Sequence, residues 1–382
     1  MAPDLTRPKK DRLKICYLVD AGNVHSVRWI EPFVARGHEV HVVSFVPCAR
    51  TVPGAASYVD LTTITNTPKV RFARWGWWIY RYIQRLRPHI LHAHQLPGAG
   101  WLGVMANYHP FVVSAWGSDL LVEPHKSRFR RLLLRLVLRQ SDQLTVPSVA
   151  MAAAARRLNV PSDRLQLVPW GVETAVFSPA PDDGYQTRLS LGLEPRALVL
   201  LAPRRIAPLY HIHTLIAAVQ RLIGQFPSLQ LALVRYDPDA AYMARIEQEI
   251  AALGLGHHVS WLPAQNSQES MARLYRMADI VLSIPASEGY GSTVYEALAC
   301  GTPAIVTDLP VFEGELVDGL DCLKVPIGDA ARTAEAVARV VDDRELYRGL
   351  VANGRDTARD KSVSDRIEQV ESHYKSLVAR KS

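Results

Sequence analysis

Ala286-Ser287-Glu288-Gly289-Tyr290-Gly291-Ser292-Thr293-Val294-Tyr295-Glu296-Ala297-Leu298-Ala299-Cys300-Gly301-Thr302-Pro303 follows the apolar run Asp279-Ile280-Val281-Leu282-Ser283-Ile284. That run is short and branched enough for a buried strand. Gly301-Thr302-Pro303 stops a helix, and the next strand, Ala304-Ile305-Val306-Thr307, starts directly after it. Between the strands, a loop with two glycines opens a helix near Ser292. The first N–H groups of such a helix are unpaired and point out of the carboxyl edge of a sheet, where anions bind. Glu288 lies in the loop and Glu296 on the helix, eight residues on. A carboxylate there would repel a bare phosphate, but it accepts hydrogen bonds from hydroxyls, so it suits a ligand that also carries a sugar or ribose.

Outward from this stretch, short apolar strands alternate with amphipathic helices. In the first half, strands are expected at Leu13–Val19, Glu39–Phe45, Ile90–His92, Phe111–Ser114, Gln143–Val146 and Gln166–Val168. Helices are expected at Val24–Arg36, Lys69–Arg87, Gly98–Tyr108, Arg128–Arg139 and Ser148–Leu158. Pro179 to Pro195, rich in Pro, Asp and Gly, reads as a linker with a short helical piece. A second alternating half follows, with strands at Leu198–Ala202, Leu229–Val234, Val259–Leu262, Ile280–Ile284, Ala304–Thr307 and Cys322–Val325. Helices at Asp329–Asp342, Arg344–Ala352 and Val363–Arg380 close the chain. This pattern predicts an α/β protein of two Rossmann-like, doubly wound parallel-sheet domains facing across a ligand-binding cleft, residues 1–178 and 179–362.

Length and composition agree. A chain of 382 residues exceeds one ordinary core, and 48% apolar with 21% charged residues is usual for a globular protein. No apolar run approaches the ~18 residues of a membrane span. Met1 to Arg12 is polar and basic and reads as a leader without a secretory signal. Cys16, Cys48, Cys300 and Cys322 are scattered, without metal or redox spacing, and read as reduced thiols of a cytoplasmic protein. A net charge of +7 favours anionic partners in general.

Ser287-Glu288-Gly289-x-Gly291, Glu288-x7-Glu296 and Glu296-Ala-x-Ala-Cys-Gly-Thr-Pro303 together resemble the signature of retaining glycosyltransferases of the GT-B fold, the "group 1" family. The resemblance implies transfer of a sugar from a nucleotide-sugar donor to a hydroxyl acceptor, in polysaccharide or glycolipid synthesis, with no metal and no cofactor beyond the donor. It implies that Glu288 holds sugar hydroxyls and Glu296 the ribose. Gly289, Tyr290, Gly291, Ser292 and Thr293 would form the phosphate-facing loop and helix start, and Leu262, in Val259–Pro263, the backbone contact to the base. The final helix, about 363–382, would pack back on the first domain.

The loop Leu201-Ala202-Pro203-Arg204-Arg205-Ile206-Ala207-Pro208-Leu209-Tyr210 is similar to the family's Gly-Arg-Leu with a lysine five residues after the arginine. Arg205 matches that arginine, the cation on the leaving diphosphate and, with Glu288, the candidate catalytic pair. Tyr210 falls at the lysine and Arg204 at the glycine, so Arg204 is the candidate second cation. Asp237-Pro238-Asp239 reads as a turn.

In the first half the strand-one turn, Asp20-Ala21-Gly22-Asn23, lets backbone approach a ligand. The resemblance implies that this turn lies beside the donor phosphates and the acceptor, which makes Gly22 a donor-side candidate and Asn23, His25 and Arg28 candidates toward the acceptor. His92 and His94 share a face at a strand end, and His94 is a candidate hydrogen-bonding group on the sugar side. The following strand leads to Trp116-Gly117-Ser118-Asp119, where the family often has a histidine before the glycine; Trp116 can stack on a sugar face, and Asp119 follows it.

Two segments are basic and amphipathic. In Arg71 to Arg87, Phe72, Trp75, Ile79, Ile83 and Leu86 form the expected core face, leaving Trp77, Trp78 and Tyr82 among arginines. Pro124 to Ser141 contains no acid and six basic residues among leucines. Against the reading as a solvated basic helix stands peripheral contact with anionic membrane, where a lipid-linked acceptor would be presented. No nucleic-acid motif is present. A cytoplasmic protein at the inner face of a membrane fits this reading. The rival functions are a sugar-nucleotide epimerase of similar architecture and a nucleotide-sugar-binding protein that has lost catalysis.

Overall fold

The computed structural model describes residues 11–47, 52–65, 67 and 70–381. Cys48 and most of the basic leader lie outside them. The chain divides into two units, Met1–Pro169 with Ser364–Ser382, and Trp170–Val363.

Among the described residues, the first unit carries a seven-stranded sheet: β1 (Lys14–Val19), β2 (Glu39–Ser44), β3 (Ser57–Asp60), β4 (Ile90–His94), β5 (Phe111–Ser114), β6 (Gln143–Val146) and β7 (Leu165–Leu167), in the order β3-β2-β1-β4-β5-β6-β7. The second carries β8 (Val199–Ala202), β9 (Gln230–Arg235), β10 (Val259–Pro263), β11 (Ile280–Ser283), β12 (Ala304–Thr307) and β13 (Leu323–Val325), in the order β10-β9-β8-β11-β12-β13. All pairings are parallel. Central strands such as Tyr17-Leu18-Val19, Leu200-Leu201 and Val281-Leu282 are buried on both faces. That is why they read as continuous apolar runs without alternation.

Each sheet has one place where strand order reverses. In the second unit the chain builds outward from β8 through β9 and β10, then returns to lay β11 on the other side of β8. The loops after β8 and β11 therefore leave neighbouring strand ends in opposite directions and open a crevice. The first unit does the same between β1 and β4. Their registers, Leu18 beside Ala93 and Leu201 beside Val281, bring the two pairs of loop-bearing strand ends level.

Three expectations change on folding. The proline-rich stretch contains a helix of ten residues, Pro181–Ser190. A Cβ on its Gly184 would lie 2.3 Å from the Arg276 carbonyl oxygen, so the helix is packed against the second unit's helix Gln268–Met277. The expected helix from Gly98 begins only at Trp101, because Pro97 (ψ 145°) and Gly98 (φ 73°) are non-helical. The helix from Arg344 runs to Arg359, beyond Ala352. Its Gly354 is a contact rather than a stop: a Cβ would meet Leu298 at 2.7 Å.

The basic helix Arg71–Leu86 also turns differently from expectation. Trp75, Ile79 and Ile83 are buried, while Phe72 is exposed. Trp78 and Tyr82 stack at 4.7 Å on the core, and the Tyr82 hydroxyl lies 2.9 Å from Ser57 Oγ. Of the three left-over aromatics only Trp77 stays exposed, at 62%. The partner that draws Tyr82 inward, β3, is a four-residue edge strand absent from the sequence-based assignment.

The final helix, Ser364–Lys381, belongs to the first unit. Its Tyr374 is buried, 3.4 Å from the Tyr17 hydroxyl and hydrogen-bonded to His92 Nδ1. Glu371 receives Arg36 at 3.1 Å. The thiols of Cys300 and Cys322 are buried and pushed up to about 12 by desolvation, so neither is a nucleophile at neutral pH.

Candidate functional site

The crevice between β8 and β11 in the second unit holds the Glu288 loop and the Arg204–Tyr210 loop. The two are tied by backbone: the Ala286 N–H donates to the Leu209 carbonyl at 2.8 Å. Gly291, with φ 86°, turns the chain into the helix Ser292–Ala299. A Cβ on Gly291 would sit 2.6 Å from the Phe312 ring, so both the dihedral and the space require glycine. No side chain caps this helix, which is consistent with its start being kept for a ligand.

Glu288 and Arg204 meet in front of that helix start. Arg204 Nη2 lies 2.7 Å from Glu288 Oε2, and Arg204 Nη1 donates to Thr293 Oγ1 at 3.0 Å. The guanidinium carbon sits 4.6 Å over the Tyr210 ring. Desolvation, the largest influence on Arg204, works to lower its pKa, but the charge of Glu288 together with Tyr210 and Tyr275 outweighs it and the pKa is raised. Glu288 Oε1 accepts from the Gly289 N–H at 2.9 Å. Its Oε2 has no aligned hydrogen-bond donor despite the short ion-pair distance, so it faces Arg204 by charge and retains acceptor capacity. Ser292 and Thr293 are half-buried at the helix start.

Arg205 leaves the strand on the other side. It is 43% exposed, its Nε lies 3.0 Å from Asp237 Oδ2 and also donates to the Asp237 carbonyl. It is not brought to Glu288. Asp239, expected only as part of a turn, caps the helix Ala240–Ala252 through the Tyr242 N–H at 2.9 Å. Glu296 is 6% exposed and accepts from the Tyr275 hydroxyl at 2.9 Å. Burial, and then the Glu296 charge, hold the Tyr275 pKa well above its usual value. Tyr290 is buried, accepts from the Gly171 N–H at 3.1 Å and packs at 5.2 Å from Tyr295. Leu262 is buried in β10, two strands from the crevice.

The first-unit candidates gather at the corresponding β1/β4 reversal. The Gly22 N–H donates to Asp20 Oδ1 at 2.9 Å, and Asn23 caps the helix Val24–Ala35 through the His25 N–H at 2.9 Å. Arg28 is half-buried on the same helix. The His25 ring meets Trp116 edge-on at 6.0 Å, and His94 lies 5.6 Å from Trp116. His94 is 1% exposed, ringed also by Tyr17 and Trp29, and neither of its ring nitrogens has a hydrogen-bond partner. Burial brings its pKa down to about 3, so it is neutral at any working pH. His92 is instead satisfied between Tyr374 and Ser114 Oγ (2.8 Å). Asp119 accepts from the N–H groups of Leu96, Trp116 and Gly117, and organises the two loops. Its carboxyl pKa is raised by burial, which those donors only partly oppose.

Sequence reasoning did not single out Tyr275 or Asp237 as partners. Asp237 reads only as part of a turn, and Tyr275 lies on the helix before β11, with nothing in the local sequence to mark its bond to Glu296.

The description "Glycosyl transferase 4-like" matches residues 14–148, and "Glycosyl transferases group 1" matches residues 187–357. A D-inositol 3-phosphate glycosyltransferase of Mycobacterium sp. (strain KMS) is 34% identical over 213 residues, 53% of this chain and 46% of that protein. The chain thus spans about half the length of that relative. A phosphatidyl-myo-inositol mannosyltransferase of Mycolicibacterium smegmatis is 29% identical over 272 residues, 69% of this chain and 64% of that protein. Among solved structures, HepE of Anabaena in complex with UDP-glucose superposes with a TM-score of 0.83 at 18% identity, over 96% of this chain and all of that one, a likeness of fold. With a family description matched in each half and two parallel-sheet α/β units of this topology, the chain belongs to the group 1 glycosyltransferases of GT-B fold.

Proposed function

We propose that this protein transfers a sugar from a nucleotide-sugar donor to the hydroxyl of a sugar, glycolipid or lipid-linked acceptor, with retention at the anomeric carbon. The observation that carries the reading is the meeting of Arg204, Glu288 and the uncapped helix start at Ser292 in the β8/β11 crevice. The bond from the anomeric carbon to the diphosphate breaks, so negative charge grows on the leaving oxygen and positive charge on the sugar ring. Cations and N–H groups stabilise the first, and the Glu288 carboxylate holds sugar hydroxyls beside the second. The acceptor oxygen forms its bond on the face the diphosphate leaves, and its proton passes to the departing phosphate oxygen. No protein nucleophile is assigned.

In this reading Gly289, Tyr290, Gly291, Ser292 and Thr293 shape the phosphate side, Leu262 backs the base, and Glu296 serves the ribose. His25, His94 and Trp116 line the sugar side in the first unit, and Gly22 and Asn23 its backbone turn. With guanidinium charge to meet the diphosphate, transfer is expected without added metal and without a resident cofactor. The first unit would rest on anionic membrane on the cytoplasmic side, in the service of glycan or glycolipid assembly.

The test is thermal unfolding of the full chain with UDP, GDP, ADP and their common sugar conjugates. Ligand at ~100 times its dissociation constant adds about 2.7 kcal/mol, a rise of several degrees. A shift with one nucleotide defines the donor class and the labelled sugar with which to find the acceptor. No shift with any of them, from folded protein, overturns the reading.

A further inference from the structure

Arg204 and Arg205 are adjacent in the chain and do opposite things. Both follow the end of β8 at Ala202, and their side chains reach different surroundings. Arg204 enters the crevice and is 17% exposed; Arg205 emerges at the surface beside Asp237, and that pair is 43% and 70% exposed. An exposed pair of this kind is worth little. What separates the two arginines is the direction in which each leaves the strand.

A long flexible cation in a crevice needs something to hold it. Tyr210 does this: its ring lies under the Arg204 guanidinium at 4.6 Å and packs on the hydrophobic core of the second unit. The ring is itself placed by the short turn Pro208–Tyr210 and by the bond from the Ala286 N–H to the Leu209 carbonyl. Thr293 Oγ1 and Glu288 Oε2 then fix the rotation of the guanidinium plane. Five N–H donors allow Arg204 to keep its seat on Tyr210 and its bond to Thr293 while the donors that face Glu288 turn to a phosphate.

We infer that Arg204, seated on the Tyr210 ring, is the cation that binds the donor's diphosphate, with Tyr210 as its positioning residue, and that Arg205 stands outside that site. The inference rests on the donor reading above and assigns the charge within it. The contact between Arg204 and Glu288 gives it a further consequence. In the absence of donor the two neutralise each other; when the diphosphate takes up the guanidinium, Glu288 gains acceptor capacity for the sugar. Binding of the leaving group and readiness of the sugar site are thereby coupled.

The test measures, on the full chain, the affinity of UDP, GDP and ADP, each against its parent nucleoside, by titration calorimetry at two salt concentrations. Arg204→Ala should weaken the diphosphate that binds the wild type on the order of 100-fold while leaving its nucleoside unchanged, as expected for loss of a charged hydrogen-bond pair. Tyr210→Leu, which keeps bulk but removes the ring face, should weaken it roughly 5-fold, and Tyr210→Phe should bind like wild type. Arg205→Ala should change it less than about 3-fold. A merely structural Tyr210 would shift diphosphate and nucleoside together. If none of the three nucleotides binds the wild type, the donor reading falls and takes this inference with it. If a nucleotide binds but Arg205→Ala loses as much as Arg204→Ala, or Tyr210→Leu binds like wild type, the donor reading stands and this inference is overturned.

Discussion

Glu288 and Glu296 carry the same carboxylate into different surroundings. Glu288 faces Arg204 in the crevice, whereas Glu296 is buried against Tyr275. Glu288→Gln keeps shape and one acceptor oxygen but removes the charge. Transfer should fall by roughly 100-fold or more, read as kcat with donor saturating. The same variant should bind the nucleoside diphosphate at least as tightly as wild type, because Arg204 loses its internal partner. Tyr275→Phe withdraws a hydroxyl from a buried carboxylate and should cost about 2 kcal/mol of stability, measured by urea unfolding. At Gly291 the φ of 86° and the Phe312 ring act together, and Gly291→Ala should lose about 2 kcal/mol in the same measurement.

At the level of elements, helices Arg71–Leu86 and Arg128–Gln140 contain no acidic residue, and each shows apolar side chains to solvent. Phe72, Trp77 and Tyr80 stand out from the first; Phe129 (67% exposed), Leu132 and Leu136 from the second. Arg81 covers the Trp77 ring at 5.0 Å, and Ser127 caps the second helix through the Arg130 N–H at 3.1 Å. Apolar residues among arginines on well-formed helices suit an anionic membrane surface. Among the described residues no helix is long and apolar enough to cross one. Flotation with vesicles containing phosphatidylglycerol should recover the wild type, and Arg128→Glu/Arg139→Glu or Phe129→Ser/Leu132→Ser should each reduce recovery several-fold. Equal recovery of all three would remove membrane contact from the proposal.

At the level of the whole molecule, the buried His94 ties stability to pH. Its pKa is about 3 in the folded chain against about 6.5 unfolded. Below pH ~6.5 the unfolded chain takes up a proton that the folded one refuses, so stability falls as pH falls, by about 1.4 kcal/mol per unit from this residue. His92 is displaced in the same direction, by burial and by His94. Between pH 6.5 and 5 the urea midpoint should drop, and His94→Phe should flatten the slope; a midpoint constant over that range would contradict the neutral, buried state.

Local pattern sufficed for much of this architecture. Phe111–Ser114, Gln143–Val146 and Ala304–Thr307 appear at their expected bounds, because doubly buried parallel strands must be short, apolar and branched. The Gly291 turn and the helix after it were legible for a similar reason: glycine, helix start and stop signals act through the backbone within a few residues. What the chain could not declare locally is which strand lies beside which, and the site depends on that. β11 returns to the flank of β8 across some 80 residues, and only then do Arg204 and Glu288 meet. The same holds for Tyr275 against Glu296 and for Tyr374 against His92, 282 residues apart. β3 and the inward turn of Tyr82 depend on an edge pairing with no strong pattern of its own. The motif residues matching Arg205 named the loop, but the direction in which each arginine leaves the strand decided which one enters the crevice. Periodicity and turn chemistry are properties of neighbours in sequence. Pairing, burial and charge compensation are properties of neighbours in space, and they exist only once the sheet has closed around them.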